Sequence, residues 1–489
     1  MVVRKILYMG QNYHTSIGGA EITDQLLLES WVTRGGAARA LCLGDGPQVV
    51  LRGVEVVPVS DHEAMRAEAI AYHPNLIYSE FGTRELGFEI AHALGVPVMT
   101  CLHDPRPFCT DLVALASCDQ CCSQCIYFDK YHVLRNRALL KQFNRIVAPS
   151  QFMADLAMRH LGRNDISVLY PPVHPVSISE TVRGTGISMS TAEYIKGADI
   201  FLKIAERMPE QTFFLTGRGD AKRCGYDPRR HPNVHVEGMV SQDVFYGRSC
   251  MVLMPSRWAE PFGRMAPEAQ SAGVLFMGSN VGGIPEAAGE AGVLVDDHLN
   301  PDSWVREIKA LLNDPERQEA LRKLGLNAWQ RFDENMLTTK FCEWANELVM
   351  QPNVTVSLPP ETEFTLPWRV PDLLRFVFYI PLLCSVLGSL LVAVGYSRLF
   401  AAIPLLMLLV GVVSVWIFHA GPLAMVKTKT ARKSGQKMLI ASLLGVLAMP
   451  LDFFGTKGAW GAFLMLLLLG GVTIGHRVRI EKERKRFVV

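Results

Sequence analysis

Met251–Ala269 reads MVLMPSRWAEPFGRMAPEA. Met251–Met254 is a short apolar run of strand character, stopped by Pro255-Ser256. A loop carries the chain past Glu260 to Gly263, and a helix opens with Glu268 inside it. The same order, strand then Gly-bearing loop then helix, occurs on either side. Thr212–Thr216 is followed by Gly217-Arg218-Gly219-Asp220, and Val274–Met277 by Val281-Gly282-Gly283-Ile284-Pro285-Glu286. Ile187–Ser190 and Val234–Val236 are further strand candidates. Strands alternating with helical runs give a parallel sheet with helices on both faces.

Working outward, the alternation repeats upstream. Lys5–Met9 is a strand, followed by a Gly-rich loop and an amphipathic helix from about Ala20 to Thr33. Ala37–Leu43, Asn75–Ser79, Val96–Cys101 and Arg145–Ala148 continue the pattern, which restarts after Tyr170-Pro171-Pro172. The expectation is an α/β protein of two doubly wound, Rossmann-like domains, residues 1–173 and 174–350, facing a cleft. Ligands of such sheets sit at the carboxyl ends of the strands. No internal repeat at a fixed period is present.

The remainder of the 489 residues has another character. The chain is 49% hydrophobic and 20% charged, with a mean hydropathy of +0.17, which excludes a disordered or collagen-like protein. A net charge of +2 conceals a split: residues 1–365 hold 34 Lys and Arg against 43 Asp and Glu, and residues 366–489 hold 15 against 4. Phe376–Ser397 and Leu399–Val426 contain no Asp, Glu, Lys or Arg, and two more apolar stretches follow. Spans of about 20 apolar residues cross a bilayer. We therefore expect a linker at 351–369, a C-terminal bundle of about four transmembrane helices within 370–476 (about 376–397, 399–419, 438–454 and 458–475), and a basic tail at 477–489. The third span is short and ends near Asp452, so a re-entrant hairpin is its alternative. Lys427, Lys429, Arg432, Lys433 and Lys437, with the basic tail, place both loops on the cytoplasmic side. The expected location is the inner (cytoplasmic) membrane, multi-pass, with both termini cytoplasmic. The apolar run in Met1–Gly10 is too short for a signal peptide and reads as a buried strand.

Candidate site residues cluster at the strand ends. Gly18 and Gly19 precede a helix, where backbone amides approach a phosphate, although taken alone the pair reads better as a tight turn and GxGxxG is absent. The loop at Gly263 leads into a helix whose amides can face an anion. Glu260 and Glu268 can look into one cleft. Cys118, Cys121, Cys122 and Cys125 form two abutting CxxC pairs, a spacing metals use. The pairs are closer together than structural zinc sites keep them, so a cysteine-rich surface loop is the other reading.

With its flanking loops in phase with the strands, the pattern Pro-Ser…Glu260-Pro-Phe-Gly…Glu268-Ala, then Gly-Gly-Ile-Pro-Glu, resembles the retaining GT-B glycosyltransferases of family GT4 (glycosyl transferases group 1). The resemblance covers roughly residues 4–345. It implies a sugar transferred from a nucleotide-sugar donor (a UDP- or GDP-sugar) with retained configuration and no cofactor or metal. Glu268 would hold the ribose hydroxyls, and Glu260 would contact the sugar beside the Phe262 and Gly263 amides. Lys196 would neutralise the diphosphate, with Gly18 and Gly19 completing its cradle and Gly217 and Arg218 on the donor rim. His103, in Cys101-Leu102-His103-Asp104, matches a histidine near the donor sugar; a satisfied structural histidine is its alternative. The family's Arg about five residues before that Lys is replaced here by Thr191. Either Arg218 or Arg264 could supply the missing charge, though Arg218 also reads as a solvated turn residue. Expected partners are a lipid-linked or glycan acceptor and membrane lipids, with no nucleic acid. A non-catalytic GT-B scaffold is the alternative function. A transporter lacks support, since no broken helix or buried charge pair marks the spans.

Overall fold

Short, mostly buried strands set the architecture. The computed structural model describes residues 3–13, 18–109, 115, 130–178 and 184–350. The Cys118–Cys125 cluster, the linker and the expected membrane spans lie outside the described residues. Met1–Pro360 forms one compact unit and Glu361–Val489 another. Among the described residues no helix is long and apolar enough to cross a membrane.

Eight strands make the first sheet: β1 (Lys5–Gly10), β2 (Ala37–Leu43), β3 (Val49–Leu51), β4 (Val54–Val59), β5 (Leu76–Ser79), β6 (Val98–Cys101), β7 (Arg145–Ala148) and β8 (Ser167–Val168), in the order β3-β4-β2-β1-β5-β6-β7-β8. Every ladder is parallel except β3–β4. That hairpin escaped the sequence reading. Its turn, Arg52-Gly53, has positive φ at both residues (48° and 86°), as a primed hairpin turn requires, but with Arg where Asn or Asp would have announced it. The second sheet contains β9 (Gly186–Ala192), β10 (Phe213–Gly219), β11 (Val234–Val236), β12 (Ser249–Met254), β13 (Leu275–Ser279) and β14 (Gly292–Val295), all parallel, in the order β11-β10-β9-β12-β13-β14. β1 and β9 sit centrally in their sheets, each at the point where strand order reverses. The crevice at such a point is where doubly wound sheets take ligands.

Ile6, Leu7, Ile77 and Ile146 are fully buried in the first sheet, and Ile187, Leu215, Met251 and Leu253 in the second. Strands covered on both faces must be apolar throughout, so they read as runs and not as alternations. The helix Glu334–Met350 follows the second sheet in sequence but returns to the first. There Arg34 donates to Thr339 Oγ1 at 2.6 Å, Arg145 pairs with Glu347 at 2.8 Å, and Phe341 packs on Tyr78 with 5.9 Å between ring centroids.

Candidate active site

Glu260 lies in the loop after β12 and is only 5% exposed. Its carboxylate is fully engaged. Lys196, in the loop after β9, places Nζ 2.7 and 2.9 Å from the two oxygens. Ser256 Oγ (2.9 Å) and Trp258 Nε1 (2.8 Å) both donate to Oε1. The Lys196 ammonium also lies 4.7 Å from the centre of the Trp258 ring. Lys196 and Glu260, named from sequence as donor ligands, are thus each other's partner. Ser256 stood in the quoted pattern without a role, and Trp258 carried no spacing signal of its own. Gly282 (φ 61°) brings its backbone against this loop, where a Cβ would lie 2.5 Å from the Glu260 carbonyl oxygen.

Glu268 sits in the short helix Met265–Ser271 and is held at both oxygens. Tyr246 Oη donates to Oε2 at 2.9 Å, and Arg264 Nε to Oε1 at 3.2 Å. Burial, followed by the Glu268 carboxylate, pushes the Tyr246 hydroxyl far above its ordinary range, so it stays a donor. Arg264 then crosses to the first sheet's side: Nη1 donates to Thr23 Oγ1 (3.2 Å) and to the Pro172 carbonyl (2.8 Å). It passes so close to Gly19 that a Cβ there would lie 2.9 Å from Arg264 Cδ. Only a glycine leaves that passage open.

The remaining candidates divide. The Phe262 side chain is buried against Tyr170 and Phe332, so only its backbone faces the loop. The Gly18 amide donates to Glu21 Oε2 at 2.8 Å, closing a helix cap, and the Gly217 amide donates to the Gly238 carbonyl at 3.0 Å. Arg218 is exposed in the irregularity between β9 and β10, close enough to Glu193 to lower its pKa. Burial is the larger effect on Glu193 and leaves it raised overall. Thr191 adopts φ 77°, a left-handed conformation that a β-branched residue rarely takes. Arg257, beside Trp258, pairs with Asp199 at 2.5 and 3.0 Å, and its amide donates to the Ile195 carbonyl at 3.0 Å, which braces the Lys196 loop.

His103 follows β6, with Nε2 3.0 Å from Asp24 Oδ1. Asp24 also accepts from the hydroxyls of Tyr8 (3.2 Å) and Tyr78. Glu80, after β5, accepts from the Cys101 amide at 3.0 Å and faces Arg84 at 4.0 Å. Asp24 and Glu80 went unnamed in the sequence reading. A lone acid within a helix or at a strand end carries no signal until folding brings it beside a histidine.

Two carboxylates backed by donors, a lysine on one of them and a glycine passage at the facing sheet make a site for a ligand with hydroxyls and anionic charge. Residues 185–314 match the family of Glycosyl transferases group 1. The match holds Lys196, Glu260 and Glu268. The chain is 35% identical over 101 residues to spore coat protein SA of Bacillus subtilis, covering 19% of this chain and 27% of that protein. It is 44% identical over 150 residues to D-inositol 3-phosphate glycosyltransferase 1 of Catenulispora acidiphila, covering 26% and 35%. The chain therefore spans only about a third of these curated relatives. Among solved structures it is similar to Anabaena HepE in complex with UDP and glucose (TM-score 0.57, 18% identity, 70% of this chain and 99% of that one). It is also similar to the pneumococcal O-GlcNAc transferase GtfA in complex with UDP and GlcNAc (TM-score 0.56, 11% identity, 71% and 100%). The parallel-sheet α/β fold is GT-B-like.

Proposed function

We propose that the chain is a retaining glycosyltransferase that takes a sugar from a nucleotide-sugar donor. The observation that carries the reading is the Lys196–Glu260 pair beside the doubly held Glu268, within the matched segment and at the strand-order reversal of the second sheet. On this reading Glu268 accepts from the ribose hydroxyls, oriented by Tyr246 and Arg264. Lys196 turns from Glu260 toward the diphosphate, where fixed positive charge stabilises the leaving group as its bond breaks. Glu260 is left facing the sugar, and the leaving phosphate takes the acceptor proton. UDP- and GDP-sugars are the donor candidates. The acceptor is lipid-linked or a polysaccharide, met at the cytoplasmic face of a membrane that residues 370–476 span.

Donor hydrolysis with a panel of nucleotide sugars tests the activity. Calorimetry with UDP and GDP tests the site. Glu268→Ala should weaken nucleotide binding by roughly 1.5–3 kcal/mol, the worth of a hydrogen bond to a charged group; unchanged affinity refutes the assignment. A chain ending at residue 350 should keep nucleotide binding yet lose transfer to an acceptor embedded in liposomes. Equal activity of the shortened chain on that acceptor refutes the membrane reading. The strained Thr191 in place of a cation favours one second reading, a non-catalytic scaffold. That reading predicts nucleotide binding without turnover of any sugar in the panel.

A further inference from the structure

The His103 ring has no nitrogen to spare. Nε2 faces Asp24 at 3.0 Å, and Nδ1 faces Cys101 Sγ at 3.8 Å. Asp24 is 1% exposed, and its oxygens accept from two tyrosine hydroxyls, an acceptor role that leaves Nε2 as the donor in their contact. A base at Nδ1 would look into Cys101 and the protein interior. His103 is 11% exposed at its side chain, and both ring nitrogens are turned to protein partners.

The charges around it are these. Asp24 comes from the helix Gly19–Thr33, Glu80 from the end of β5, Cys101 from β6 and Tyr8 from β1. Tyr13 lies behind Tyr8, with ring centroids 5.3 Å apart. Arg84, 4% exposed, stands 4.0 Å from Glu80 and donates to Thr100 Oγ1 and the Cys101 carbonyl. Burial and the neighbouring Asp24 hold the Tyr8, Tyr13 and Tyr78 hydroxyls neutral, and burial does the same for the Cys42 and Cys101 thiols. The ligand atoms of Asp24, Glu80 and His103 lie within 4.8 Å of one another, a spacing a cation could use. Asp24, however, is already taken by three donors and Glu80 is beside a guanidinium, an arrangement suited to a proton.

We propose that Asp24, with Glu80 behind it, is a positioning residue for His103: it orients the ring and retains its proton, so that His103 meets the donor as a fixed imidazolium and not as a base. This rests on the functional reading above for the donor alone; the proton-holding geometry stands without it. Burial by itself would drive the imidazole toward neutrality, but the Asp24 carboxylate hydrogen-bonded to Nε2, with Glu80 behind it, outweighs it and holds the His103 pKa well above the ordinary value. On the proposed function, a fixed positive charge just past the end of β6 would add to the field on a departing diphosphate.

The test has two arms on the full chain. In the first, deuterium exchange at each histidine C2–H, followed by mass spectrometry from pH 5 to 9, gives the titration of His103 without any ligand. The wild-type midpoint should lie at least about one unit above the ordinary 6.5 or so. Asp24→Asn, which keeps the shape and, with its oxygen at the Oδ1 position, the contacts to Tyr78 and His103 while removing the charge, should bring it down by about one unit or more. Glu80→Gln should shift it the same way by less. His235, which stacks on Phe214, is the control. A wild-type midpoint at or below 6.5, or one that Asp24→Asn leaves in place, overturns the proposal, as does a midpoint that a chelator shifts in the wild type. Should Asp24→Asn not fold, the wild type and Glu80→Gln still decide. In the second arm, UDP and GDP affinity and turnover are followed against pH. Asp24→Asn should acquire a limb on which turnover falls about tenfold as pH rises through the new midpoint, and Asp24→Asn combined with His103→Gln should lack that limb. If the limb persists in the double variant, His103 is not the responsible group and the proposal fails. If the wild type binds neither nucleotide, the functional reading fails with the donor role, while the exchange arm still decides who holds the proton.

Discussion

Replacing Lys196 by Met is the sharpest test of how the donor-side site is built, because it leaves a buried carboxylate without its cation. Glu260 is 5% exposed and accepts from Lys196, Ser256 and Trp258. Removing one partner of a fully buried pair costs about 3–5 kcal/mol. The Lys196 side chain is 29% exposed, so water screens part of the attraction, and two neutral donors remain on the carboxylate. About 2 kcal/mol is the resulting expectation. For a unit of this size that corresponds to a fall in Tm of about 2–4 °C. Glu260→Gln should cost less, about 1 kcal/mol, since its amide still accepts from Trp258 and Lys196 can turn to solvent. The double variant should lose clearly less than the two singles together, with a coupling of about 1–2 kcal/mol. Thermal unfolding of the full chain by circular dichroism, at one scan rate, reads all four species. Lys196→Met melting with the wild type, or a double variant that loses the full sum, refutes the claim that the two side chains are each other's partner.

Thr191→Gly should stabilise the chain by about 0.5–1 kcal/mol, because glycine takes φ 77° freely and the strain released exceeds the added freedom of the unfolded chain; the readout is a Tm increase of about 1 °C, and a decrease refutes it. Glu80 is raised to about 7, by burial first and with Asp24 adding to it, while His103 and Arg84 oppose. A native carboxyl that binds its proton more tightly than the unfolded one contributes stability that is full below about 4.5 and lost as pH rises through about 7. Glu80→Gln should therefore flatten the loss of stability between pH 5 and 8, measured as Tm against pH, and an unchanged slope counts against it. Tyr246→Phe removes the donor to Glu268 Oε2 at 2.9 Å and should weaken UDP or GDP binding about tenfold, with turnover at saturation little changed; a loss confined to turnover contradicts the orienting role.

How far the sequence carried the structure depended on the kind of signal. A buried parallel strand such as β7 was found residue for residue because Ile146-Val147-Ala148 is a contiguous apolar run between turns. β14, Gly292–Val295, was missed; it is a four-residue edge strand, too short and too lightly apolar to stand out from the loops around it. The site divided along the same line. Lys196, Glu260 and Glu268 stand in a local pattern and could be named. Their supports could not: Tyr246 reaches Glu268 across 22 positions, and Asp24 meets His103 across 79. Such pairs exist only once the sheets have formed, and no period or spacing in the chain encodes them.

The two cations offered from sequence in place of Thr191 come out differently. Arg218 is exposed beside Glu193, on the same sheet as Lys196. Arg264 has its stem against Gly19, one nitrogen on Glu268 and another on Thr23 and the Pro172 carbonyl, so it joins the carboxylate proposed for the ribose to the opposite sheet and to the turn between the domains. Its five guanidinium donors allow it to keep one partner while exchanging another. On the proposed function, a diphosphate arriving beside Gly19 enters the region Arg264 already crosses, and no large rearrangement is needed for the guanidinium to meet it. A cation on the strand itself would act within one domain. A cation spanning both couples the occupancy of the donor site to the separation of the two sheets, because any opening of the cleft must break the Thr23 and Pro172 contacts that hold Glu268's partner in place.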